Sequence, residues 1–156
     1  MKVRTKNTAL CIWSDQLATH HPLIDSQHRE LLVRINAFVS YCNQPHEFSF
    51  EEELEALNLV LYLLDYVIDH FSAEEKLMLE CDYPAFLAHR HAHSEYIANL
   101  YHFREKFRVI GLDKEMEDYL NDKVVDWLVH HIMEEDVKIA THIENQPPIE
   151  YPEDLT

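Results

Sequence analysis

Two pairs of side chains in this 156-residue sequence are spaced for a single helical face, His70 with Glu74 and His89 with His93. An α-helix turns about 100° per residue, so positions i and i+4 lie one above the other. Each pair is flanked by apolar residues such as Val67, Phe71, Leu77 and Ile97, which directs its nitrogen and oxygen donors broadly toward a core. Inward donors of this kind are suited to holding a metal. His28 lies three residues before Leu31 on another apolar stripe, and His131 stands beside Trp127 and Ile132 on a further one. Asp136 follows His131 by five positions, a spacing that regular α winding spreads by about 140° around the axis. A carboxylate reaching sideways to bridge two metals tolerates that divergence.

Taken singly, these residues have ordinary explanations. A lone histidine such as His28 on an apolar face is more often a hydrogen-bonded core residue than a ligand. One HxxxH or HxxxE arises readily by chance in a chain with 12 histidines and 29 acidic residues. The runs EEELE and MEED read by default as solvated faces. The joint pattern favours a metal, because candidate donors fall on each of four expected helices, all beside apolar stripes. Burying so many ionisable groups without a cation is costly.

The elements that must position these donors follow from the chain's punctuation. Leu31, Leu32, Ile35, Phe38 and Val39 recur at spacings of three and four, which predicts a first helix over residues 25–42. CNQPHEFS breaks it, and Ser49 with Glu52 offers a capping box for a second helix over residues 50–80. Pro84 suits the first turn of a third helix, which continues until Gly111, the one glycine, supplies a left-handed cap. Asp113 caps a fourth, whose stripe of Met116, Leu120, Val124, Trp127, Leu128 and Ile132 persists to about Ile143, before Pro147 and Pro148. Four helices on short loops pack most simply as an all-α, up-down-up-down antiparallel four-helix bundle, here preceded by an N-terminal arm. Residues 1–145 are expected to form this domain, with residues 146–156 as an acidic, proline-rich tail or linker.

Composition narrows the setting. A chain that is 47% hydrophobic and 11% aromatic supports one substantial core. Its formal charge of −16 repels phosphate backbones and anionic headgroups, so neither nucleic acid nor a membrane is the expected partner. The N-terminal apolar run ALCIW is too short for a signal-peptide core, and no stretch approaches the roughly 18 apolar residues of a membrane span. Cys11, Cys42 and Cys81 form no CxxC pair, which points to reduced thiols and a cytoplasmic location.

In combination and order, the motifs resemble the hemerythrin family, in particular its single-domain bacterial members. The resemblance covers Trp13 to about Ile139. It rests on W…L.T…ID.QHREL from Trp13 to Leu31, HFSAEEKLM from His70, YPAFLAHRHAH from Tyr83 and WLVHHIMEED from Trp127. It implies a non-haem di-iron centre, two Fe ions joined by a bridging oxo or hydroxo group. The implied ligands fall on His28, His70, Glu74, His89, His93, His131 and Asp136. By the same resemblance His89, His93 and His131 hold one iron, His28 and His70 hold the other, and Glu74 and Asp136 bridge them. One coordination position then stays open for dioxygen, on the iron with two histidines. Leu31, Phe71, Trp127 and Ile132 are expected either to wall the oxygen pocket or to be plain core.

Imidazole and carboxylate donors without thiolate suit iron independently of the resemblance. The Glu-x-x-His pairs of ferritin-like sites are absent at the matching positions, and so is HExxH. The expected function is reversible dioxygen binding for carriage, storage or sensing, without enzymatic turnover. The alternatives are a di-iron enzyme handling peroxide, nitric oxide or an oxidisable substrate, or a sensor with a reductase or downstream signalling partner. Family members commonly carry Gly where this chain has His20. His91 is expected to face outward and His130 away from the site. His20, His21, His46, His102 and His142 are expected at the surface, with His20 or His21 able to line an access route.

Overall fold

Helix α1 begins before the apolar stripe does. In the computed structural model of the protein, which describes residues 9–44 and 47–147, α1 runs Pro22–Cys42. Pro22 sits in the first turn, where its missing N–H leaves nothing unpaired. The half-buried His21 accepts a hydrogen bond from the Ile24 N–H at Nδ1 (3.4 Å). His21 is therefore a helix cap and not the free surface residue expected. Helix α2 runs Phe50–Glu80, and Ser49 and Glu52 close the capping box in both directions, at 2.7 and 3.3 Å. Helix α3 runs Phe86–Ile110, so Pro84 lies in the preceding turn instead of in the helix. Gly111 ends α3 at φ 69, a conformation that L-residues rarely adopt. The Asp113 side chain then accepts from the Met116 N–H (2.9 Å) to start α4, which spans residues 114–144.

Helix α4 is not uniformly wound. Lys114–Tyr119, Trp127–His131 and Val137–Glu144 are α-helical, whereas Leu120–Asp126 and Ile132–Asp136 are π-helical, with backbone hydrogen bonds between residues five apart. Consecutive helices pack against one another as a four-helix bundle. The main core holds Ile35, Phe38, Leu63, Val67, Tyr96, Leu100, Phe103, Leu120 and Leu128, and a smaller cluster of Met78, Cys81, Tyr83 and Ile139 closes one end. Leu77 and Ile97, expected to point inward, are only half-buried.

The arm is tied to α1. The backbone of Cys11 pairs with the Asn36 amide in both directions (2.8 and 2.7 Å), and the Arg29 guanidinium lies over Trp13. Buried Asp25 accepts from the Thr19 N–H and hydroxyl (2.8 and 2.7 Å) and from the His20 N–H (3.1 Å). His20 itself has φ 66, in the left-handed region where glycine sits without strain. His142 also departs from a plain surface role, since it is half-buried and donates through Nε2 to the Cys81 carbonyl (2.9 Å). No helix among the described residues is long and apolar enough to cross a membrane. His46 and the expected tail from residue 148 lie outside the described residues.

Candidate metal centre

The buried stripe of each helix carries its polar members to one level of the bundle. His28 shares the α1 stripe with Ile24, Leu31, Leu32 and Ile35, so packing that stripe inward takes His28 with it. His70 and Glu74 lie on the buried face of α2 with Val67, Phe71 and Met78, and His89 and His93 lie on that of α3 with Tyr96. His131 and Asp136 come from α4. All seven residues are between 0% and 4% exposed.

Their outer atoms meet in two groups, Glu74 with His89, His93, His131 and Asp136, and Glu74 with His28, His70 and Asp136. In each group the candidate donor atoms all lie within 4.8 Å of one another. The two carboxylates belong to both. Glu74 turns Oε1 to His70 Nε2 (3.1 Å) and His28 Nε2 (3.4 Å), and Oε2 to His93 Nε2 (3.2 Å) and His89 Nε2 (3.7 Å). Asp136 turns Oδ2 to His28 Nε2 (2.9 Å), and Oδ1 to His89 and His131 Nε2 (3.1 Å each). The Nε2 atoms of His93 and His89 also lie 3.2 and 3.1 Å from that of His131.

The structure brings Asp136 to the site by winding and not by the sideways reach that its spacing suggested. With regular winding it would stand about 140° from His131. The π turn Ile132–Asp136 absorbs one residue, so the backbone itself returns Asp136 to the face of His131.

Two residues that the sequence reading missed hold outer nitrogens. Gln27 Oε1 lies 2.8 Å from His70 Nδ1, and Glu75 Oε1 lies 3.1 Å from His93 Nδ1. An acceptor at Nδ1 places the ring proton there and leaves Nε2 free to donate a lone pair inward. The available signal was adjacency, because Gln27 precedes His28 and Glu75 follows Glu74.

The electrostatics ask for positive charge. Burial pushes Glu74 up, but the charge of His70 and the close approach of His28 and His89 outweigh it and hold Glu74 well below the usual carboxylate range. Asp136 is also raised by burial and by Glu74, and is brought down overall by His131 and His28. Burial lowers His28 and His89, yet Asp136 and Glu74 carry both up to about 9. Despite the short distances, neither His28 Nε2 nor any oxygen of Glu74 or Asp136 has a hydrogen-bond partner of proper direction. Buried lone-pair atoms that face one another in this way are satisfied by a cation between them. The imidazole and carboxylate set therefore fits metal ions.

A family model described as the hemerythrin HHE cation binding domain matches residues 19–143. The chain belongs to the hemerythrin family. It is 29% identical over 136 residues to a bacteriohemerythrin of Stenotrophomonas maltophilia (strain R551-3), covering 86% of this chain and 82% of that protein. A bacteriohemerythrin of Clostridium acetobutylicum is 27% identical over 128 residues, covering 80% and 95% of the two chains. A myohemerythrin of Sipunculus nudus is 24% identical over 127 residues, covering 81% and 88%. The crystal structure of a hemerythrin point mutant superposes with a TM-score of 0.72 at 24% identity, over 86% of this chain and 98% of that one, and shares its fold.

Within this hemerythrin-family bundle, aromatic rings clamp the candidate donors. Phe71 stacks on His93 (3.7 Å between centroids, 3° between planes), and Trp127 stacks on both His131 (4.5 Å, 11°) and Tyr96 (4.4 Å, 19°). Leu31 and Ile132 are buried in the main core, whereas Trp127 is half-buried. The remaining described histidines stay apart from the cluster. Exposed His91 lies 3.4 Å from Glu95 Oε1, and exposed His130 donates from Nδ1 to the Asp126 carbonyl (2.7 Å). His20 and His102 are also exposed.

Proposed function

We propose that this protein binds dioxygen reversibly at a non-haem di-iron centre held by His28, His70, Glu74, His89, His93, His131 and Asp136. One observation carries the reading: each of two buried carboxylates presents one oxygen to each of two histidine groups. That is the arrangement needed to bridge two cations. Family membership supports it, as do the relatives named bacteriohemerythrin and myohemerythrin. A ferrous pair, when bound, supplies electrons to dioxygen and takes them back on release.

The chain's own part is to hold and to shield. Gln27 and Glu75 fix the orientations of His70 and His93. Phe71 and Trp127 lock His93 and His131 by stacking. Leu31, Phe71 and Ile132, each no more than 2% exposed, exclude water and carry no proton donor. Oxidative turnover generally needs a positioned proton donor and room for a substrate. His21, one candidate for that role, is engaged at the start of α1, and His20 is exposed at the end of the arm.

The test is to load the protein with iron, reduce it anaerobically, admit dioxygen, remove it under vacuum and follow the optical spectrum through repeated cycles. Return of the reduced spectrum with two irons per chain is expected. Sustained dioxygen consumption in the presence of a reductant would make the protein an oxidase instead.

A further inference from the structure

All seven donors are shut away from solvent, so a hydrated cation needs a way in. Beside the three-histidine group, between α3 and α4, lies a groove of about 510 Å³ with His89 and His131 in its wall. On the α3 side Ala88 and Ala92 leave the space open, since neither extends beyond Cβ. On the α4 side Asp122, Asp126 and Glu134, spaced by four and then eight residues, flank Trp127 and His131. All three carboxylates are exposed. No three of them share a common metal-sized space among the described residues, so they form a path of charge and not a store.

A second observation ties this groove to a cation. His89 lines it, is 4% exposed and faces Asp136 through Nε2 (3.1 Å), while its Nδ1 has no hydrogen-bond partner. An imidazole that holds a cation through Nε2 carries its proton on Nδ1 and asks for an acceptor there. His70 and His93 have Gln27 and Glu75 for this purpose, whereas His89 has no such acceptor, and neither has His28, which does not line the groove. Of these two unpartnered imidazoles, His89 is the one in the wall of the groove.

We infer that this groove is the uptake route for divalent cations into the three-histidine half of the centre, with Asp122, Asp126 and Glu134 as steering charges. The inference rests on the metal-centre reading above. A cleft lined by one sign of charge raises the local concentration of the opposite ion and its rate of arrival, without changing what is bound at the end. Lys123, exposed on the same wall, opposes that field.

The experiment mixes metal-free full-length protein anaerobically with Co²⁺ or Fe²⁺ at low ionic strength, following uptake by absorbance and final metal content by atomic emission. The combined variant Asp122→Asn, Asp126→Asn, Glu134→Gln is expected to load about tenfold more slowly, with the deficit shrinking as salt is added. Lys123→Gln is expected to load about twofold faster. The control Glu51→Gln, Glu53→Gln, Glu55→Gln removes the same charge from exposed positions roughly 22 to 30 Å from His70 along α2, and should load at the wild-type rate. All variants should end with two ions per chain. Wild-type loading by the groove variant, or equal slowing by the control, would overturn the uptake route alone. A wild-type chain that holds no ion would overturn the route and the metal centre together.

Discussion

Deleting Met133 should leave the metal centre intact, although the deletion falls between two of its candidate ligands. In the structure Ile132–Asp136 forms a π turn, and His131 Nε2 and Asp136 Oδ1 lie 3.1 Å apart across it. Removing one residue makes the spacing i+4, which regular α winding places about 40° apart instead of about 140°. Asp136 therefore keeps its face, and Ile139, Ala140 and the His142 bond to the Cys81 carbonyl keep their register. What is lost is the Met133 side chain, already 38% exposed, at a cost of about 1 to 2 kcal/mol of apolar burial. For a chain of this length that lowers Tm by about 2 to 8 °C. Inserting one alanine after Met133 should do the reverse, turning Asp136 away by about a further 100° and withdrawing a carboxylate from both donor groups. The assay is metal per chain by atomic emission after gel filtration, with helical circular dichroism as the control for folding. A deletion variant that is fully helical yet binds no metal would refute the reasoning, and so would an insertion variant that binds two ions.

Replacing His70 or His93 by Ala should sharply lower bound iron, whereas His91→Ala should not, because His91 is exposed and paired with Glu95; equal losses at His91 and His93 would sink the assignment of α3. Gln27→Leu or Glu75→Leu should weaken metal binding by about 10- to 100-fold with helicity unchanged, and a metal titration showing less than a threefold change would remove their orienting role. Stripping metal that is present at 1,000 times its Kd should remove about 4 kcal/mol and lower Tm by about 8 to 16 °C, so an unchanged melting curve after chelation counts against a buried site. His20→Gly should relieve the left-handed backbone at φ 66 and raise stability by about 0.5 kcal/mol, read as a higher denaturation midpoint; a lower midpoint would show that the His20 side chain contributes more than its strain.

Local rules were enough for much of this protein. The i, i+4 pairs His70/Glu74 and His89/His93 were legible because a helix is periodic and their apolar neighbours share that period. Ser49 and Glu52 marked the start of α2 because capping is a contact between residues three apart. The family motifs, recognised in order, implied Asp136 as a ligand, but spacing alone argued against its sharing a face with His131. Only the folded chain shows that a π turn resolves the conflict, since winding responds to packing along the whole of α4 and not to the residues in one turn. The His21 cap, the left-handed His20 and the His142 bond to Cys81 were likewise unreadable, because each depends on where a distant or irregular segment comes to rest. The division of each carboxylate between two histidine groups is also a tertiary fact. Glu74 meets donors on all three of the other helices, and those distances exist only once the bundle has closed.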